Sequence, residues 1–497
     1  MKLAVLSAIL ALLAAPALAE PVKVTVEGGA VLGVETGPVD AWRNIPYAAA
    51  PVGALRWAPP ARAQAWSGER DGTKAGVSCP QPMRPDGAPN MAGANGPVSE
   101  DCLQLNVFAP KGAKRAPVMV WIHGGSHRYG AGWIFDGSNF ARDGVVLVTI
   151  NYRLGLLGSF AHPALTAAAR PGEAVGNYGL MDQIAALEWV RRNIRAFGGD
   201  PRNVTVFGES AGGGSTLALL ATPRAKGLYQ KAVVQSGGGW SAPVTLAAKE
   251  AEGVKAAQSL GLSSPSADQL RAVPADELVA KVDGSFGPFV DGRLMRETPA
   301  QAFAAGRAND VPLIIGSNSG EDSLMAEFGQ DPAKLGAALP AGVRALYAEE
   351  AAQGDAALAR AVFTDRAMGA PARWIAARAS GGKPAWLYYF SYVGSRFRPM
   401  VTRAFHAAEI QYVFEYWGRR TPISLIKPDD QAMATLMHGC WVTFAKTGKP
   451  GCDWSAYDPR TDRLMEFGAA SGVRSGFRKS RLDAQEAFVL PTLALSQ

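Results

Sequence analysis

A serine between two glycines is the first feature of the sequence that could do chemistry. The pentad Gly208-Glu209-Ser210-Ala211-Gly212 follows an apolar run at residues 204–207 and precedes a segment of small and then apolar residues. A strand–turn–helix of this kind pushes the serine hydroxyl out of a sheet, where it can attack a carbonyl. The pattern therefore predicts Ser210 as a nucleophile, although an ordinary glycine turn can have the same short motif.

Hydrogen-bond donors for such a nucleophile are predicted in an earlier glycine segment. Trp121-Ile122-His123-Gly124-Gly125-Ser126 begins in an apolar run at residues 118–122. The N–H groups of Gly125 and Ser126, together with that of Ala211, are predicted to bind a developing oxyanion. His123 is expected to brace this loop rather than act as a base. No Gly-Lys-Ser/Thr follows the loop, which disfavours phosphate binding.

The base and the acid are assigned by their order along the chain. Of the five histidines, His406 is the best base, because it lies C-terminal to the nucleophile and in a loop context. His162 is predicted in a loop and His438 in a helix. The acid should follow a strand between nucleophile and base, and Glu321 and Asp322 both satisfy this after the run at residues 312–315.

These candidates lie among apolar runs that alternate with helical patterns. Further runs occupy residues 145–150 and 232–235, short strands are predicted at 22–26, 30–34 and 106–109, and helices at 180–197 and 211–221. Runs without polar alternation are typical of strands buried on both faces. The alternation predicts an α/β domain, a mostly parallel sheet with helices on both faces. Two Ala-rich segments, 241–309 and 322–385, are predicted to form a helical cap over the site.

The N-terminus indicates export. Residues 1–19 contain Lys2, a short apolar core and the end Ala17-Leu18-Ala19, which predicts a signal peptide and leaves 20–497 as one domain. The run is too short for a spanning helix and Pro16 interrupts it, and no later stretch predicts membrane insertion. The net charge of +7 is scattered along the chain, which disfavours nucleic-acid binding. We expect a periplasmic or extracellular protein.

Four cysteines in an exported chain favour disulfide bonds. Three pairings are possible, and sequence proximity suggests Cys79–Cys102 and Cys440–Cys452. A zinc site would need closely spaced ligands, but the sequence contains no Cys-x-x-Cys pair and only His438 lies nearby. No metal or organic cofactor is predicted.

Several separate segments together resemble the type-B carboxylesterase family, which includes bacterial p-nitrobenzyl esterases and the cholinesterases. The resemblance extends over about residues 21 to 460. The segments are Ser99-Glu100-Asp101-Cys102-Leu103-Gln104-Leu105-Asn106-Val107, Asn151-Tyr152-Arg153-Leu154-Gly155, Gly176-Asn177-Tyr178-Gly179-Leu180-Met181-Asp182-Gln183, Phe207-Gly208-Glu209-Ser210-Ala211-Gly212-Gly213, Gln235-Ser236-Gly237 and Phe405-His406-Ala407-Ala408-Glu409.

The resemblance implies an α/β-hydrolase fold and hydrolysis of small-molecule carboxylic esters through an acyl-enzyme. It selects Glu321 over Asp322, because the family uses a glutamate here, and it strengthens the assignment of His406. It also implies a structural ion pair between Arg56 and Glu100. Glu209 either tunes the field at the base or is a structural hydrogen-bond acceptor. The residues assigned supporting roles are Gly124, Glu209 and Ser236.

The substrate is predicted mainly by exclusion. Residues 80–101, the loop that carries an aromatic cation site in cholinesterases, contain no Trp, Tyr or Phe, so we expect no choline preference. His127 replaces an aromatic residue that usually follows the oxyanion loop and could touch substrate. Arg128 suggests anionic or polycarboxylate esters, although a solvated surface arginine is the simpler interpretation. Some members of the family are non-catalytic, but the intact set of Ser210, Glu321 and His406 argues against this.

Overall fold

The computed structural model describes residues 20–418 and 421–495 of the chain. The predicted signal peptide, residues 1–19, lies outside the described residues. The strands are β1 (Glu20–Val26), β2 (Gly29–Thr36), β3 (Val39–Pro46), β4 (Glu69–Asp71), β5 (Gln104–Pro110), β6 (Ala116–Ile122), β7 (Val146–Ile150), β8 (Gly199–Glu209), β9 (Lys231–Gln235), β10 (Leu313–Asn318), β11 (Ala385–Phe390), β12 (Arg463–Phe467) and β13 (Gly472–Ser475).

The helices alternate with these strands and also fill the two long insertions. They are α1 (Ser138–Arg142), α2 (Gly155–Ser159), α3 (Pro163–Ala168), α4 (Tyr178–Asn193), α5 (Ala211–Ala221), α6 (Leu246–Ser259), α7 (Ala267–Arg271), α8 (Ala275–Lys281), α9 (Pro299–Ala304), α10 (Leu324–Glu327), α11 (Pro332–Ala337), α12 (Ala341–Leu346), α13 (Ala348–Ala352), α14 (Asp355–Thr364), α15 (Ala370–Ala379), α16 (Ile410–Val413), α17 (Pro428–Thr447) and α18 (Lys479–Val489).

In the described residues the strands form one sheet, in the order β1-β2-β3-β5-β7-β6-β8-β9-β10-β11-β12-β13, with β4 beside β2. The strands from β7 to β12 pair in parallel. The strands toward both edges pair antiparallel, except that β4 pairs with β2 in parallel. Helices α4, α5 and α15 pack against one face, and α1 and α17 against the other. The predicted α/β-hydrolase architecture is therefore confirmed.

The central strands agree with the sequence patterns, and the additions lie mainly toward the edges. All residues of β7 and β9 are buried, as expected for uninterrupted apolar runs. β3, β4, β11, β12 and β13 were not predicted. β11 is fully buried despite following a segment assigned to the cap. Among the described helices, none has both the length and the apolar character needed to cross a bilayer.

Covalent and ionic links hold the loops beside the sheet. Both suggested disulfide bonds, Cys79–Cys102 and Cys440–Cys452, are present. Arg56 Nε donates a hydrogen bond of 2.7 Å to Glu100, just before Cys102, so the predicted ion pair is also present. The first disulfide closes the loop at residues 80–101, and the ion pair joins the end of this loop to Arg56, which also donates to the backbone carbonyl of Arg271.

Candidate active site

The sharp turn between β8 and α5 carries Ser210. Its backbone has φ 56° and ψ −124°, a conformation that costs free energy for any residue other than glycine. The turn is held because Ser210 N–H donates to Gln235 O over 2.9 Å, from the end of the neighbouring strand β9. Ser210 is partly exposed, so its hydroxyl is accessible at the carboxyl edge of the parallel strands.

The glycines of the pentad are required by close packing inside this turn. A Cβ on Gly212 would lie 2.0 Å from Ile122 O, and one on Gly208 would lie 2.5 Å from the carbonyl carbon of Gly212. A Cβ on Gly124 would lie 2.8 Å from Glu209 Oε2. The oxyanion loop and the nucleophile turn therefore approach each other at distances that only glycine permits.

Two alanine substitutions in α5 test this packing. Gly212→Ala should lower the free energy of unfolding by roughly 2–3 kcal/mol, because the backbone of Ile122 has to move. Gly214→Ala is the matched control, since its Cβ meets only Gly237 O at 3.6 Å and alanine is the better helix former. Urea unfolding should show a lower midpoint for the first variant and an unchanged or higher one for the second. Equal midpoints would contradict the packing argument.

His406 and Glu321 meet just beyond the carboxyl end of β10. His406 Nδ1 lies 2.5 Å from Glu321 Oε2, within hydrogen-bonding distance. The other oxygen of Glu321 accepts hydrogen bonds from Ser236 Oγ at 2.6 Å and from Asn318 N–H at 2.7 Å. The backbone N–H of His406 also donates to Ser323 Oγ over 2.9 Å. Glu321 is fully buried and its orientation is fixed by these donors.

Asp322, the alternative acid, is directed elsewhere. Its carboxylate pairs with Arg403 at 2.9 Å and accepts a weaker hydrogen bond from Thr364 Oγ1. Of the two candidate acids, Glu321 contacts the His406 ring and Asp322 does not. The structure thus brings together Ser236, Glu321 and His406 through direct contacts with Glu321.

A second carboxylate faces the other nitrogen of the same imidazole. Glu209 Oε1 lies 3.1 Å from His406 Nε2. In the described part of the chain, this Nε2 has no hydrogen-bond partner of good geometry. A bond from Ser210 Oγ to Nε2 is therefore not formed here, and catalytic hydrogen bonds often tighten only when substrate is bound. The carboxylate of Glu209, the residue before Ser210, is the group that lies against this nitrogen.

A third glutamate, Glu409, was not predicted as part of the site. It is fully buried and accepts hydrogen bonds from Gln235 Nε2 at 3.0 Å and from Asn318 Nδ2 at 2.5 Å. In the sequence, the signal for Glu409 was its position three residues after His406. The two side chains that donate to it, those of Gln235 and Asn318, lie at the ends of strands far away in the chain. Asn318 links the two acids, since its backbone binds Glu321 and its side chain binds Glu409.

Burial and charge act in opposite directions on these groups. Burial lowers the pKa of His406, but the carboxylates of Glu209 and Glu321 together raise it to about 10. Burial raises the pKa of Glu209 well above its usual range, and it also raises the pKa of Glu409. Glu209 and His406 therefore compete for one proton, and their titration belongs to the pair.

Glu209→Gln should reveal this coupling in a pH profile. If Glu209 carries negative charge beside the imidazole, its removal destabilises the protonated His406, and the acidic limb of kcat/KM moves down by about 1 to 3 pH units. Glu297→Gln, which removes a carboxylate paired with Arg307, is the control and should leave the limb in place. An unmoved limb in Glu209→Gln would instead favour a purely structural acceptor.

The oxyanion loop has the backbone conformation needed to present several donors. Gly125, Ser126 and His127 have φ values of 101°, 55° and 53°, so three successive residues lie in the left-handed region. The N–H groups of Gly125, Ser126 and Ala211 donate to no other backbone group in the described residues. His123 braces the loop as expected, because its Nδ1 lies 2.9 Å from Gly124 O and its ring stacks on Tyr152.

His127 connects this loop to the nucleophile helix. Its Nε2 lies 2.9 Å from Ser215 Oγ on α5, and the same hydroxyl accepts from Gln183 Nε2 at 3.0 Å. Burial lowers the pKa of His127 to about 4, so the ring is neutral at pH 7. The substituted residue therefore fixes the loop against α5, a role that the sequence did not indicate.

The other residue singled out beside this loop, Arg128, has an acidic partner. Its guanidinium forms an ion pair of 2.5 Å with Asp283 and lies over the ring of Tyr129. The side chain of Arg128 is only 27% exposed, so it is not a freely solvated arginine either. Its acidic partner Asp283 is itself 85% exposed, so this ion pair lies at the surface.

One group of side chains in the described residues has the composition of a possible metal site. Potential ligand atoms of Asp143, Glu415 and His438 lie within 4.8 Å of one another. Arg142 bonds both carboxylates, and His438 Nε2 lies 3.1 Å from Asp143. These contacts describe an ion-pair network that joins α17 to the residues after α1 and α16.

Comparison with known proteins gives the same picture. A family model described as the carboxylesterase family matches residues 20–485. The chain belongs to this family. It is 38% identical over 472 residues to para-nitrobenzyl esterase of Bacillus subtilis (strain 168), covering 89% of this chain and 94% of that protein. It is 35% identical over 495 residues to fumonisin B1 esterase of Sphingopyxis macrogoltabida, covering 90% and 87%.

The solved structures agree with the sequence relatives. A PNB esterase structure superimposes with a TM-score of 0.79 at 35% identity and covers 93% of this chain and 99% of that one. The predicted resemblance to p-nitrobenzyl esterases is confirmed, and the chain is a carboxylic-ester hydrolase.

Proposed function

We propose that this chain is an exported serine carboxylesterase that hydrolyses small-molecule esters through an acyl-enzyme on Ser210. The observation that carries the proposal is the 2.5 Å contact between His406 Nδ1 and Glu321 Oε2, in the same site as a strained serine turn. Nucleophile, acid and base follow one another along the chain in the order that this fold uses.

In the proposed reaction, His406 Nε2 accepts the proton of Ser210 as the hydroxyl attacks the ester carbonyl. Glu321 holds the ring and stabilises the imidazolium that forms. The tetrahedral oxyanion is bound by the N–H groups of Gly125, Ser126 and Ala211. The imidazolium then protonates the leaving alcohol, and water hydrolyses the acyl-enzyme by the same route.

Both insertions are proposed to cap the site, because each contacts the oxyanion loop. From the segment 322–385, Glu327 accepts a hydrogen bond of 2.6 Å from Ser126 Oγ. From the segment 241–309, Asp283 pairs with Arg128. Helix α15, within the second segment, packs against β10 and β11 instead, so the proposed cap uses the earlier part of that segment.

Export is proposed on two observations. The first residues have the pattern of a signal peptide, and the described chain contains two disulfide bonds. Disulfide bonds persist in oxidising compartments such as the periplasm and the extracellular medium.

The proposed substrates are uncharged or anionic esters rather than choline esters. The loop between Cys79 and Cys102 offers no aromatic platform for a quaternary ammonium group. The names of two relatives, para-nitrobenzyl esterase and fumonisin B1 esterase, make aromatic and larger natural esters suitable first substrates.

Covalent labelling tests the proposed nucleophile directly. A fluorophosphonate should add one phosphonyl group to Ser210, found by mass spectrometry of the peptide, and should abolish hydrolysis of p-nitrophenyl acetate. Ser210→Ala should take up no label while keeping the unfolding midpoint of the original protein. A folded protein that is not labelled, or one labelled at another serine, would favour the non-catalytic alternative.

A further inference from the structure

A large apolar cavity adjoins the loop that carries His406. Its volume is about 640 Å³, and aromatic and aliphatic side chains form most of its wall. Phe405 and Ala407, the residues on either side of the base, both line it. Pro89 and Gly93 of the disulfide-closed loop also line it. A cavity of this size accommodates a small organic molecule.

Among the described residues, Arg396 is the cationic side chain that lines this apolar cavity. Its Nη1 donates to Thr421 Oγ1 at 2.7 Å and its Nη2 to Gln411 Oε1 at 3.2 Å, and both partners are neutral. The guanidinium carbon lies 4.4 Å from the centre of the Phe397 ring. Its Nε is buried and has no hydrogen-bond partner in the described residues. The guanidinium therefore keeps donor capacity that the protein does not use.

No Asp or Glu among the described residues forms an ion pair with Arg396. The residues that the structure does not describe, 1–19, 419–420 and 496–497, contain no Asp or Glu. The two nearby acids have other partners. Asp429 pairs with Arg398, and Asp430 accepts hydrogen bonds from Ser395 N–H at 2.9 Å and Tyr392 OH at 3.0 Å. An arginine without a counter-charge in an apolar cavity is costly, and a bound carboxylate would offset that cost.

The cavity lies beside the loop that carries the proposed base, because Phe405 and Ala407 line it. In the proposed reaction His406 protonates the leaving oxygen, so the alcohol must lie beside the base. Phe405 precedes the base, and its ring meets that of Phe397 edge to face at 5.0 Å, which connects the base loop to Arg396. A substrate whose alcohol part extends into the cavity would therefore pass these aromatic rings and reach the guanidinium.

We propose that the cavity binds the alcohol part of esters whose alcohol carries a free carboxylate, and that Arg396 binds this carboxylate. This specificity rests on the proposed esterase function and deepens it. It places the anion receptor at Arg396 rather than at Arg128, whose guanidinium is paired with Asp283. The chemical class that fits is an aromatic or medium-length hydroxy acid acylated on its hydroxyl group.

Matched pairs of acetate esters test the proposal. Suitable pairs are 4-acetoxyphenylacetate and 3-(4-acetoxyphenyl)propanoate, each against its uncharged primary amide. The measured quantity is kcat/KM for the acid divided by kcat/KM for the amide. The original protein should favour at least one acid, and Arg396→Gln should lower that ratio by about 10- to 100-fold, the effect expected for hydrogen bonds to a charged group.

Arg398→Gln is the matched control. It lies two residues away, removes the same charge and is already paired with Asp429, so it should leave both the ratio and the activity on the amide unchanged. A ratio in Arg396→Gln that stays within twofold of the original would overturn the proposal. So would an equal loss of the ratio in Arg398→Gln, because that result would assign the effect to overall charge.

Product binding separates this proposal from the proposed reaction. Calorimetry should detect 4-hydroxyphenylacetate or 3-(4-hydroxyphenyl)propanoate binding to Ser210→Ala, with binding weakened by the same factor when Arg396→Gln is added. If no ester is hydrolysed but this difference is found, the esterase function fails and the carboxylate site stands. If esters are hydrolysed but Arg396→Gln binds both acids as tightly, the carboxylate site fails alone.

Discussion

Replacing His406 with alanine is expected to lower kcat for p-nitrophenyl acetate by about 10⁶-fold, close to the rate without a triad. The imidazole forms the 2.5 Å contact with Glu321, and its Nε2 faces Glu209, the residue before Ser210. Without it, Ser210 has no base to remove its proton, and the alcohol has no acid to protonate it. Steady-state and burst kinetics with a sensitive fluorogenic ester measure the loss.

A second histidine provides the control for this experiment. His162 precedes α3, and its Nδ1 accepts a hydrogen bond of 3.1 Å from Ala164 N–H. His162→Asn keeps an N-cap acceptor and should retain kcat within about twofold, since the helix start is preserved. Activity of His406→Ala within 100-fold of the original protein would contradict the assigned base. Such a result would direct attention to another general base near Ser210.

The central sheet could be predicted because its strands carry a strong local signal. β7 and β9 are continuous apolar runs, and the pentad at Ser210 contains the glycines that a tight strand-to-helix turn needs. The edge strands were harder. β3 mixes charged and apolar residues, and β13 alternates only partly buried residues, so neither has the uninterrupted run that identified the central strands.

The candidate triad could be chosen from the sequence, but its surroundings could not. Contacts between distant strand ends determine that Glu409 faces the same polar cluster as Glu321, and that Glu209 reaches the second nitrogen of His406. Arg396 has no acidic partner because the nearby carboxylates of Asp429 and Asp430 bind other side chains. No local pattern encodes such relations, because they arise from the packing of segments far apart in the chain.

The acid should be identified by a matched pair of adjacent substitutions. Glu321→Gln is expected to lower kcat by about 10⁴-fold, because the amide cannot stabilise the imidazolium and favours the wrong ring orientation. Asp322→Asn should change kcat by less than about tenfold, since Asp322 pairs with Arg403 and makes no contact with His406. The two variants remove one carboxylate each from neighbouring positions, so nonspecific charge effects are similar.

The geometry explains why neighbours should differ so strongly. Glu321, Asp322 and Ser323 form one turn of 3₁₀ helix after β10, in which successive side chains project about 120° apart. Only one of the two carboxylates can therefore face His406, and the bonds from Ser236 and Asn318 fix that position for Glu321. Comparable losses in both variants would show that the turn rearranges in solution. A larger loss in Asp322→Asn would reverse the assignment of the acid.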